Sequence, residues 1–349
     1  SAPSPDSTVP ALDDVLNAAD PAQPQDPKED DLAVLLYTGG TTGRSKGVQL
    51  THRNITSNGY QVAIAMDVIK EDIYLHVAPM FHAADLLCTA YTMLGAAHSF
   101  LPVFSAVGAL QALQDYKVTQ AMMAPTMIIM ILEEPTFDDY DISSYRNLFY
   151  GSSPMAAEWV EKSIQRFTNA GVQQGYGLTE TSPIVTSLDH DDHRNAVESG
   201  DTSILRAAGR PLVGIDLKIL DDDGNEVPTG EAGEVCVRGP NVTPGYLNRP
   251  EENEKAFRNG WFHTGDVGRV DENGVMFLMD RKKDMIVSGG ENIYTSEVEA
   301  ALYKHPDVFE CAVIGVPDDK YGESLFAVIV TAPGQTLTEE TIIEPCREL

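Results

Sequence analysis

A loop rich in glycine and threonine, with one lysine, carries the residue types that a phosphate-binding site needs. It runs from Tyr37 to Gly47 and reads YTGGTTGRSKG. Phosphate can approach glycine amides closely because no Cβ is in the way, threonine hydroxyls donate hydrogen bonds, and lysine adds a positive charge. Taken alone, the segment predicts a phosphate cradle, with a flexible surface loop as the alternative. The residues that would form the cradle are Thr38, Gly39, Gly40, Thr41, Thr42, Gly43 and Lys46.

The spacing within this loop excludes two common nucleotide-binding motifs. In a P-loop the lysine directly follows a glycine and precedes serine or threonine. Here Lys46 follows Ser45 and precedes Gly47. The GxGxxG spacing of dinucleotide-binding folds also fails. A triphosphate held by this loop would therefore be held by a different kind of motif.

The elements that would position this loop are those of a layered α/β fold. The run from Leu32 to Thr38 predicts a short buried strand before the loop, and a helix with apolar periodicity begins near His52. Later strand-like runs alternate with helical patterns such as Met155 to Phe167. Ligand sites of open α/β sheets collect at the carboxyl ends of the strands. The strand-like runs are Ile73 to Pro79, Ala97 to Phe100, Gln120 to Ala124, Leu148 to Gly151 and Val172 to Tyr176.

The sequence changes character along the chain, which predicts several regions. From about Gly209, short apolar alternations separated by turns such as DDGNEV indicate a small β-rich subdomain. After Asp280, a helix from Thr295 to Tyr303 and two apolar runs indicate a further α+β unit. The predicted regions are a surface segment or truncated edge (1–30), the α/β portion of a large domain (31–208), its β-rich subdomain (209–280), and a hinge with an incomplete C-terminal domain (281–349).

Composition restricts the partners. The formal charge of -29 arises from 24 basic and 53 acidic residues and would repel nucleic-acid phosphates and anionic membranes. A site for an anionic nucleotide must therefore be a local exception made of amides, basic side chains and Mg²⁺. The four cysteines are scattered without zinc-ligand spacing, and no apolar run is long enough to span a membrane. We expect a cytoplasmic protein without a structural metal; its oligomeric state stays open.

The loop resembles the signature loop of the adenylate-forming superfamily, which includes acyl-CoA synthetases, aryl-CoA ligases, luciferases and peptide-synthetase adenylation domains. Further motifs of the family follow in the family's order, from about Asp31 to about Val330. The segment GYGLTE, from Gly175 to Glu180, is similar to the family's YGxTE motif. The resemblance implies that Tyr176 stacks on adenine, Thr179 binds the α-phosphate and Glu180 holds Mg²⁺. Taken alone, Tyr176 reads as a half-buried aromatic and Glu180 as a carboxylate at a helix start.

Three other motifs extend the resemblance. Ser152 and Ser153 lie in a turn that resembles the family's adenine-pocket turn, and they also fit a helix N-cap. Asp266, in WFHTGD, resembles the aspartate that accepts hydrogen bonds from the ribose hydroxyls. Arg281 would contact ribose or phosphate at the start of a hinge. The resemblance implies that Gly290 lies along the pantetheine tunnel of CoA, where a side chain would block the thiol. It also places Gly177, in the YGxTE segment, among the nucleotide-binding residues.

The segment Pro79 to His82 resembles the part of the family that gates the acyl pocket. The family often has a glycine shortly after this histidine, whereas Ala83, Ala84 and Asp85 follow here, so the sequence leaves the shape of the pocket open. A lone histidine is also often structural, and Met or Ile stripes are commonly plain core. Further residues that would line an apolar pocket are Met122, Met123, Thr126, Met127 and Ile184.

The resemblance implies a two-step reaction. ATP and a fatty or aryl carboxylate give an acyl-adenylate and pyrophosphate, and CoA then displaces AMP. Lys46, His82, Thr179 and Glu180 are the expected catalytic residues. The family's N-terminal region and its adenylation lysine do not occur in these 349 residues, so we expect them to adenylate weakly or not at all on their own. Two alternatives stay open: transfer to a carrier protein or another acceptor, and a non-catalytic nucleotide-binding fragment.

Overall fold

A computed structural model describes residues 12–20, 26–39, 45–153, 155–303, 305–318, 320–332 and 334–346. The helices are α1 (Leu12–Ala18), α2 (His52–Ala65), α3 (Cys88–Leu94), α4 (Ala106–Asp115), α5 (Pro125–Leu132), α6 (Ala157–Arg166), α7 (His190–Ser199), α8 (Pro250–Ala256), α9 (Thr295–Leu302) and α10 (Glu339–Cys346). Short 3₁₀ turns cover Ala83–Leu87, Phe137–Asp139, Thr179–Thr181 and Thr202–Arg206. The strands are β1 (Leu32–Thr38), β2 (Lys46–Thr51), β3 (Ile73–His76), β4 (Ala97–Phe100), β5 (Gln120–Met123), β6 (Asn147–Gly151), β7 (Gly171–Tyr176), β8 (Thr186–Leu188), β9 (Arg210–Pro211), β10 (Asp216–Leu220), β11 (Gly233–Arg238), β12 (Gly245–Tyr246), β13 (Phe257–Arg258), β14 (Trp261–Val270), β15 (Met276–Arg281), β16 (Ile286–Ser288), β17 (Glu291–Ile293), β18 (Val308–Asp318) and β19 (Gly322–Thr331).

The largest sheet has seven strands in the order β4-β3-β5-β6-β7-β8-β9. Strands β3 to β7 pair in parallel, and β8 and β9 continue the sheet antiparallel. One face packs on α4 to α7, and the other packs on α2, α3 and the sheet that contains β10, β11 and β14. This arrangement confirms the predicted layered α/β class. Because β3 has β4 on one side and β5 on the other, the strand order reverses there, and the carboxyl ends of these strands are the expected place for a ligand.

The amino edge of this sheet is held by a buried carboxylate. Asp72, only 1% exposed, lies just before β3 and accepts two hydrogen bonds from the guanidinium of Arg146, at 2.8 and 2.6 Å. It also accepts from the hydroxyl of Thr119, the amide of Gln120 and the backbone N–H of Ile69, at 2.7 to 3.0 Å. Burial alone would raise the pKa of Asp72, but these hydrogen bonds and the arginine charge outweigh burial and leave it below its ordinary value.

The strand before the glycine-rich loop differs from the prediction. β1 is not a buried strand of the parallel sheet; it forms an antiparallel hairpin with β2, and β12 pairs with the other edge of β2. The strand is mostly half-buried, and Leu32 and Tyr37 are exposed. A run of apolar residues does not distinguish a strand buried on both faces from one that covers a core on one face. The loop is therefore carried by the open end of a hairpin.

Two smaller sheets complete the chain. β10, β11, β14 and β13 form one sheet, with β15 on β14, and β17, β16, β19 and β18 form another beside α9 and α10. Strand pairing crosses the predicted boundary at residue 209, because β9 joins the seven-stranded sheet and β12 joins β2. The first thirty residues contain α1, which is exposed from Asp13 onward. The domain limits stay a prediction. None of the described helices combines the length and apolar character needed to cross a bilayer.

Candidate active site

A cleft of about 980 Å³ opens at the carboxyl edge of the seven-stranded sheet. Its lining comes from segments that follow β3, β6 and β7, from the open end of the β1–β2 hairpin, from β11 and β14, and from the start of the hinge. Most of the predicted site residues within the described part of the chain lie here. Those lining the cleft are Thr38, Gly39, Lys46, His82, Ser152, Gly177, Thr179, Glu180 and Arg281.

The two ends of the glycine-rich loop lie at this cleft. Thr38 and Lys46 are paired across the β1–β2 hairpin, and both line the cavity. The ammonium of Lys46 lies 4.9 Å from the ring centroid of Tyr246 on β12, a cation–π contact that orients the lysine. Gly40, Thr41, Thr42 and Gly43 lie outside the described residues.

Glu180 is a buried carboxylate in the 3₁₀ turn that follows β7. Its Oε1 accepts a hydrogen bond of 2.8 Å from the hydroxyl of Tyr246, and Thr179 lines the cleft beside it. The backbone oxygen of Glu180 accepts from the N–H of Thr243 at 2.8 Å, which fixes the turn. Burial and the Glu180 charge raise the pKa of Tyr246, so its hydroxyl stays protonated as the donor. Lys46, Tyr246 and Glu180 therefore form one connected group.

Close backbone approach explains two glycines of the site. A Cβ on Gly177 would lie 1.9 Å from the backbone oxygen of Pro183, and one on Gly151 would lie 2.6 Å from that of Gly175. Neither neighbour is a flexible side chain, so a larger residue would force the turn open. Ser152, next to Gly151, has a left-handed φ of 69° and lines the cleft. Ser153 is exposed and does not belong to the lining, and Pro154 lies outside the described residues.

Asp266, Tyr176 and Arg281 form a second polar group. The hydroxyl of Tyr176 donates to Oδ2 of Asp266 at 2.6 Å, and Nε of Arg281 lies 2.8 Å from Oδ1 in an ion pair. The pairing of β14 with β15 places Asp266 opposite Arg281. Burial raises the pKa of Asp266, and the Tyr176 hydrogen bond and the arginine charge oppose this rise only in part.

This group differs from the sequence expectation in one respect. Of its three members, only Arg281 lines the described cleft, whereas Asp266 and Tyr176 do not belong to the lining. Both carboxylate oxygens of Asp266 already have a partner in this structure: the hydroxyl of Tyr176 donates to Oδ2, and the guanidinium of Arg281 pairs with Oδ1. A carboxylate oxygen accepts more than one hydrogen bond, so a ribose at Asp266 would share these oxygens. Ribose binding and adenine stacking stay predictions.

The sequence analysis missed Glu234, a buried carboxylate on β11 that lines the cleft. It lies 3.1 Å from Nδ1 of His263 and 3.3 Å from Nζ of Lys282, and its Oε1 accepts from the N–H of Gly265 at 3.2 Å. Burial alone would raise its pKa, but His263 and Lys282 bring it below the ordinary value. A signal was available: Glu234 and Cys236 lie two residues apart on a strand whose other residues are largely apolar, so a buried face carries polar atoms.

Another part of the cleft lining is mostly apolar. Ala83, Ala84 and Leu87 from the 3₁₀ turn after β3 line it, together with Met122 and Ile184. Of the other residues considered for an apolar pocket, Met123 is buried in the core, and Thr126 and Met127 are also not part of the lining. His82 caps the same turn and lines the cleft. Residue types alone did not separate pocket from core here.

Gly290 lies apart from this cleft. It occupies the turn between β16 and β17 with a left-handed φ of 93°, and it does not belong to the described lining. The φ value gives a structural reason for glycine at this position. Its place along a pantetheine channel stays a prediction.

Three groups of side chains have the chemistry to bind a cation. Glu180, with hard oxygen donors at the cleft, suits Mg²⁺. The described residues also bring together Glu234, Cys236 and His263. In that cluster a guanidinium nitrogen of Arg258 lies 2.8 Å from Nδ1 of His263, and the ammonium of Lys282 donates to Glu234. The positive charges of these two side chains therefore occupy the place that a metal ion would take.

The third group is His76, Asp85 and Cys88, behind the apolar side of the cleft. Burial and the Asp85 charge raise the pKa of the Cys88 thiol to about 11, which opposes the thiolate form that a metal requires. His76 and Asp85 are joined directly by a hydrogen bond of 2.7 Å. The sequence places no histidine at zinc-ligand spacing from a cysteine, yet the fold brings His76 close to Cys88 and His263 to within 3.2 Å of Cys236.

Comparison with curated proteins finds many relatives that are longer than this chain. Feruloyl-CoA synthase from an Amycolatopsis species is 40% identical over 331 residues, which cover 94% of this chain and 65% of the relative. A long-chain-fatty-acid–CoA ligase from Bacillus subtilis is 38% identical over 319 residues, which cover 90% of this chain and 55% of that protein. The chain thus spans between about half and two thirds of the length of these relatives.

Solved structures and family models agree with these relatives. The crystal structure of ATP-bound MatB from Rhodopseudomonas palustris matches with a TM-score of 0.85 and 33% identity, over 97% of this chain and 65% of that one. The model described as "AMP-binding enzyme" matches residues 2–247, and the one described as "AMP-binding enzyme C-terminal domain" matches residues 297–349. The first match alone covers more than half of the sequence, and the fold and motif order agree with it, so this chain belongs to the AMP-binding enzyme family.

Proposed function

We propose that the protein containing this chain activates a fatty or aryl carboxylic acid with ATP and transfers the acyl group to coenzyme A, releasing AMP and pyrophosphate. The observation that carries the proposal is a single cleft lined by both polar and apolar residues. Lys46, Thr179 and Glu180 belong to its polar lining, called here the polar side, and Ala84 and Met122 belong to its apolar lining, called here the apolar side. A reaction between a nucleotide phosphate and a hydrophobic carboxylate needs both surfaces within reach of each other.

The polar side fits a nucleotide. Lys46 and the hydroxyl of Thr38 would bind the β- and γ-phosphates, and Thr179 would donate to the α-phosphate. Mg²⁺ held by Glu180 would offset triphosphate charge. Arg281 and Asp266 would bind the ribose, with Tyr176 holding the carboxylate of Asp266 in place. Ser152, Ser153 and Tyr176 would lie around the adenine.

These residues would promote the first step by position and charge. A carboxylate oxygen of the substrate attacks the α-phosphorus, and the bond to the pyrophosphate oxygen breaks. Lys46 and Thr179 stabilise the negative charge that moves onto the phosphate oxygens. In the second step the sulfur of CoA attacks the acyl carbon, AMP leaves, and the thiol proton is lost to solvent. His82 lies beside the apolar side, where it would contact the carboxylate end of the acyl group.

The relatives support CoA as the acceptor, because feruloyl-CoA synthase and the B. subtilis ligase are both named for CoA products. Their names also differ in acyl group, one aromatic and one a long aliphatic chain, so the proposal covers both substrate classes. The chain spans only part of their length, and the test therefore uses the whole natural protein that contains it.

The experiment measures two products with a panel of aliphatic and aryl carboxylates. Carboxylate-dependent exchange of pyrophosphate into ATP reports adenylation, and CoA-dependent thioester formation reports transfer. We expect both with at least one carboxylate, and Glu180→Gln as the inactive control. If pyrophosphate exchange occurs but no CoA thioester forms, the acceptor is another molecule, such as a carrier protein. Nucleotide binding without exchange would leave a non-catalytic nucleotide-binding protein.

A further inference from the structure

Asp85 ends the segment Ala83-Ala84-Asp85, which stands where the resembled family often has a glycine, and the structure shows where its side chain lies. It lies in the 3₁₀ turn Ala83–Leu87, whose other residues Ala84 and Leu87 line the cleft. Asp85 instead faces the interior, where its side chain is 6% exposed and its Oδ1 lies 2.7 Å from Nδ1 of His76. Asp85, which follows the segment Pro79 to His82, therefore does not line the cleft.

A chain of hydrogen bonds continues from His76 to His98 and then to Thr92. Nε2 of His76 lies 2.9 Å from Nδ1 of His98, and Nε2 of His98 lies 3.1 Å from the hydroxyl of Thr92. The carboxylate of Asp85 only accepts, so Nδ1 of His76 is the donor to it, and in neutral His76 the other nitrogen, Nε2, accepts from His98. The 3₁₀ turn, β3, β4 and α3 are thereby connected by side chains.

The surroundings of the pair keep it in place. The ring of His76 stacks on Phe100 with centroids 4.5 Å apart and meets Tyr74 edge-on at 5.0 Å. Two other titratable groups besides His98 adjoin the pair, and both stay neutral: burial raises the pKa of Tyr74 and raises that of Cys88 to about 11. Asp85 is held in this position by its hydrogen bond to His76.

The same turn also fixes the orientation of His82. Nδ1 of His82 accepts a hydrogen bond of 3.2 Å from the backbone N–H of Ala84, one residue before Asp85. An accepting Nδ1 has no proton, so neutral His82 carries its proton on Nε2. His82 lines the cleft and can present that N–H as a donor to a bound group. Movement of the turn would disturb both this donor and the apolar surface of Ala84.

We propose that Asp85 and His76 form a positioning pair: by tethering the turn Ala83–Leu87 to β3, they set the shape of the acyl side of the cleft and the tautomer of His82, and so determine which carboxylates the enzyme accepts. The inference rests on the proposed function. Neither Asp85 nor His76 lines the cleft, so neither would contact the carboxylate substrate. Their effect reaches the substrate through His82, Ala83 and Ala84.

The test compares three variants of the whole natural protein. Asp85→Leu removes the tether, Asp85→Asn keeps an oxygen that accepts from His76, and Asp72→Asn is the matched control. Asp72 is a buried aspartate at the other end of β3, remote from the cleft. Steady-state kinetics over the carboxylate panel are measured with the KM for ATP, and thermal unfolding is followed in parallel.

We expect Asp85→Leu to raise the KM for the preferred carboxylate about tenfold, because small displacements of residues that position a substrate have large kinetic effects. The order of preference among the carboxylates of the panel, here called the ranking, should change as well. The KM for ATP should change less than about twofold, since the polar side is intact. Asp85→Asn should keep the ranking. Asp72→Asn should lose stability without changing the ranking. If Asp85→Leu loses stability but keeps the wild-type ranking, the pair is only structural and the proposal is wrong.

A second measurement does not depend on turnover. In ¹⁵N-histidine NMR spectra, assigned with His82→Gln and His76→Gln, wild-type His82 should show an unprotonated Nδ1 and a protonated Nε2. Asp85→Leu should convert His82 to a mixture of tautomers, and Asp85→Asn should not. An unchanged His82 signal in Asp85→Leu would overturn the positioning role. Failure of the proposed function would appear separately, as absence of exchange and thioester in the wild-type protein.

Discussion

Two buried aspartates, each paired with an arginine, have pKa values shifted in opposite directions. Asp72 at the amino edge of the seven-stranded sheet has a lowered pKa, whereas Asp266, beside the cleft, has a raised one. They are similarly buried, at 1% and 3% exposure. The difference lies in the donors. Asp72 accepts from Arg146 and three neutral donors, whereas Asp266 has Arg281 and Tyr176 on its two oxygens and two further carboxylates nearby.

This contrast distinguishes a carboxylate that stabilises the fold from one at a candidate binding site. A fully hydrogen-bonded, ionised carboxylate adds to folding stability at neutral pH, whereas one with a raised pKa is ionised at a cost to stability. Glu180 and Glu234 contribute to that cost at Asp266 through their charges. A cluster of negative groups is useful where a cation, a ribose or a ligand donor is to be bound. Asp72 at the amino edge of the sheet therefore stabilises the fold, whereas the surroundings of Asp266 at the carboxyl edge disfavour its ionised form.

The largest expected effect is on stability, at the amino edge. Asp72→Asn replaces an acceptor oxygen by an amide N–H₂ facing existing donors and leaves Arg146 without its anionic partner. We expect the free energy of unfolding to fall by about 3 kcal/mol, the lower end for breaking a buried ion pair, because Arg146 is partly exposed. Urea unfolding measures the loss, and carboxylate kinetics of the folded variant should match the wild type. A large change in KM would contradict the structural assignment.

The pH dependence sharpens this prediction. Because the pKa of Asp72 is lower in the folded state, its stabilising effect is present above the unfolded pKa and is lost as the pH falls through the folded pKa. The difference in stability between the wild type and Asp72→Asn should therefore shrink in acid. Urea titrations at several pH values measure it.

Glu180→Gln tests the charge at the other edge. Removing the carboxylate charge should lower adenylation about 100-fold, a value typical of losing one preorganised electrostatic group. The hydrogen bond from Tyr246 to Oε1 can persist with the amide oxygen, so folding should be little changed. The Glu180 charge also raises the pKa of Asp266, so that pKa should fall in the variant. Pyrophosphate exchange and ¹³C NMR of the Asp266 carboxyl measure the two effects.

Asp266→Asn is expected to weaken nucleotide binding about 30-fold, which corresponds to the loss of a charge-assisted hydrogen bond of about 2 kcal/mol. A raised folded-state pKa stabilises the fold below the unfolded pKa, and this contribution is lost as the pH rises through the folded pKa. The variant should therefore lose less stability at neutral pH than Asp72→Asn. Calorimetric AMP titrations should show that wild-type affinity falls as acid protonates Asp266 and that the variant lacks this dependence. A wild-type affinity independent of pH would argue against ribose binding at Asp266.

The smallest effect is expected from Tyr176→Phe, which keeps the ring and removes one donor to Asp266. The hydroxyl hydrogen bond lowers the pKa of Asp266, so its loss should raise that pKa further. Nucleotide affinity should fall about fivefold, consistent with about 1 kcal/mol for a single hydrogen bond. Thermal unfolding serves as the control for folding. If affinity falls as much as in Asp266→Asn, the Tyr176 ring or hydroxyl contacts the nucleotide directly.

Much of the parallel sheet followed from the sequence. The strand predicted at Ala97 to Phe100 is confirmed at the same residues, and those at Gln120 to Ala124 and Val172 to Tyr176 are confirmed within one residue. Short apolar runs bounded by turns are strong local signals. The prediction was wrong for the setting of Leu32 to Thr38, because nothing local indicates that its partner is β2 and that β2 is paired in turn by β12. Sheet membership depends on partners distant in the sequence.

By itself, the sequence determined the α/β class, the order of the motifs and the members of the polar side, including Lys46, Thr179 and Glu180, because each depends on local residue type and spacing. Only the tertiary structure decided that Tyr246 joins Lys46 to Glu180 and that Asp85 turns away from the cleft toward His76. It also decided the raised pKa of Asp266, which follows from burial near other carboxylates. Burial, pairing and electrostatic environment arise from contacts between distant segments, and no local pattern contains them.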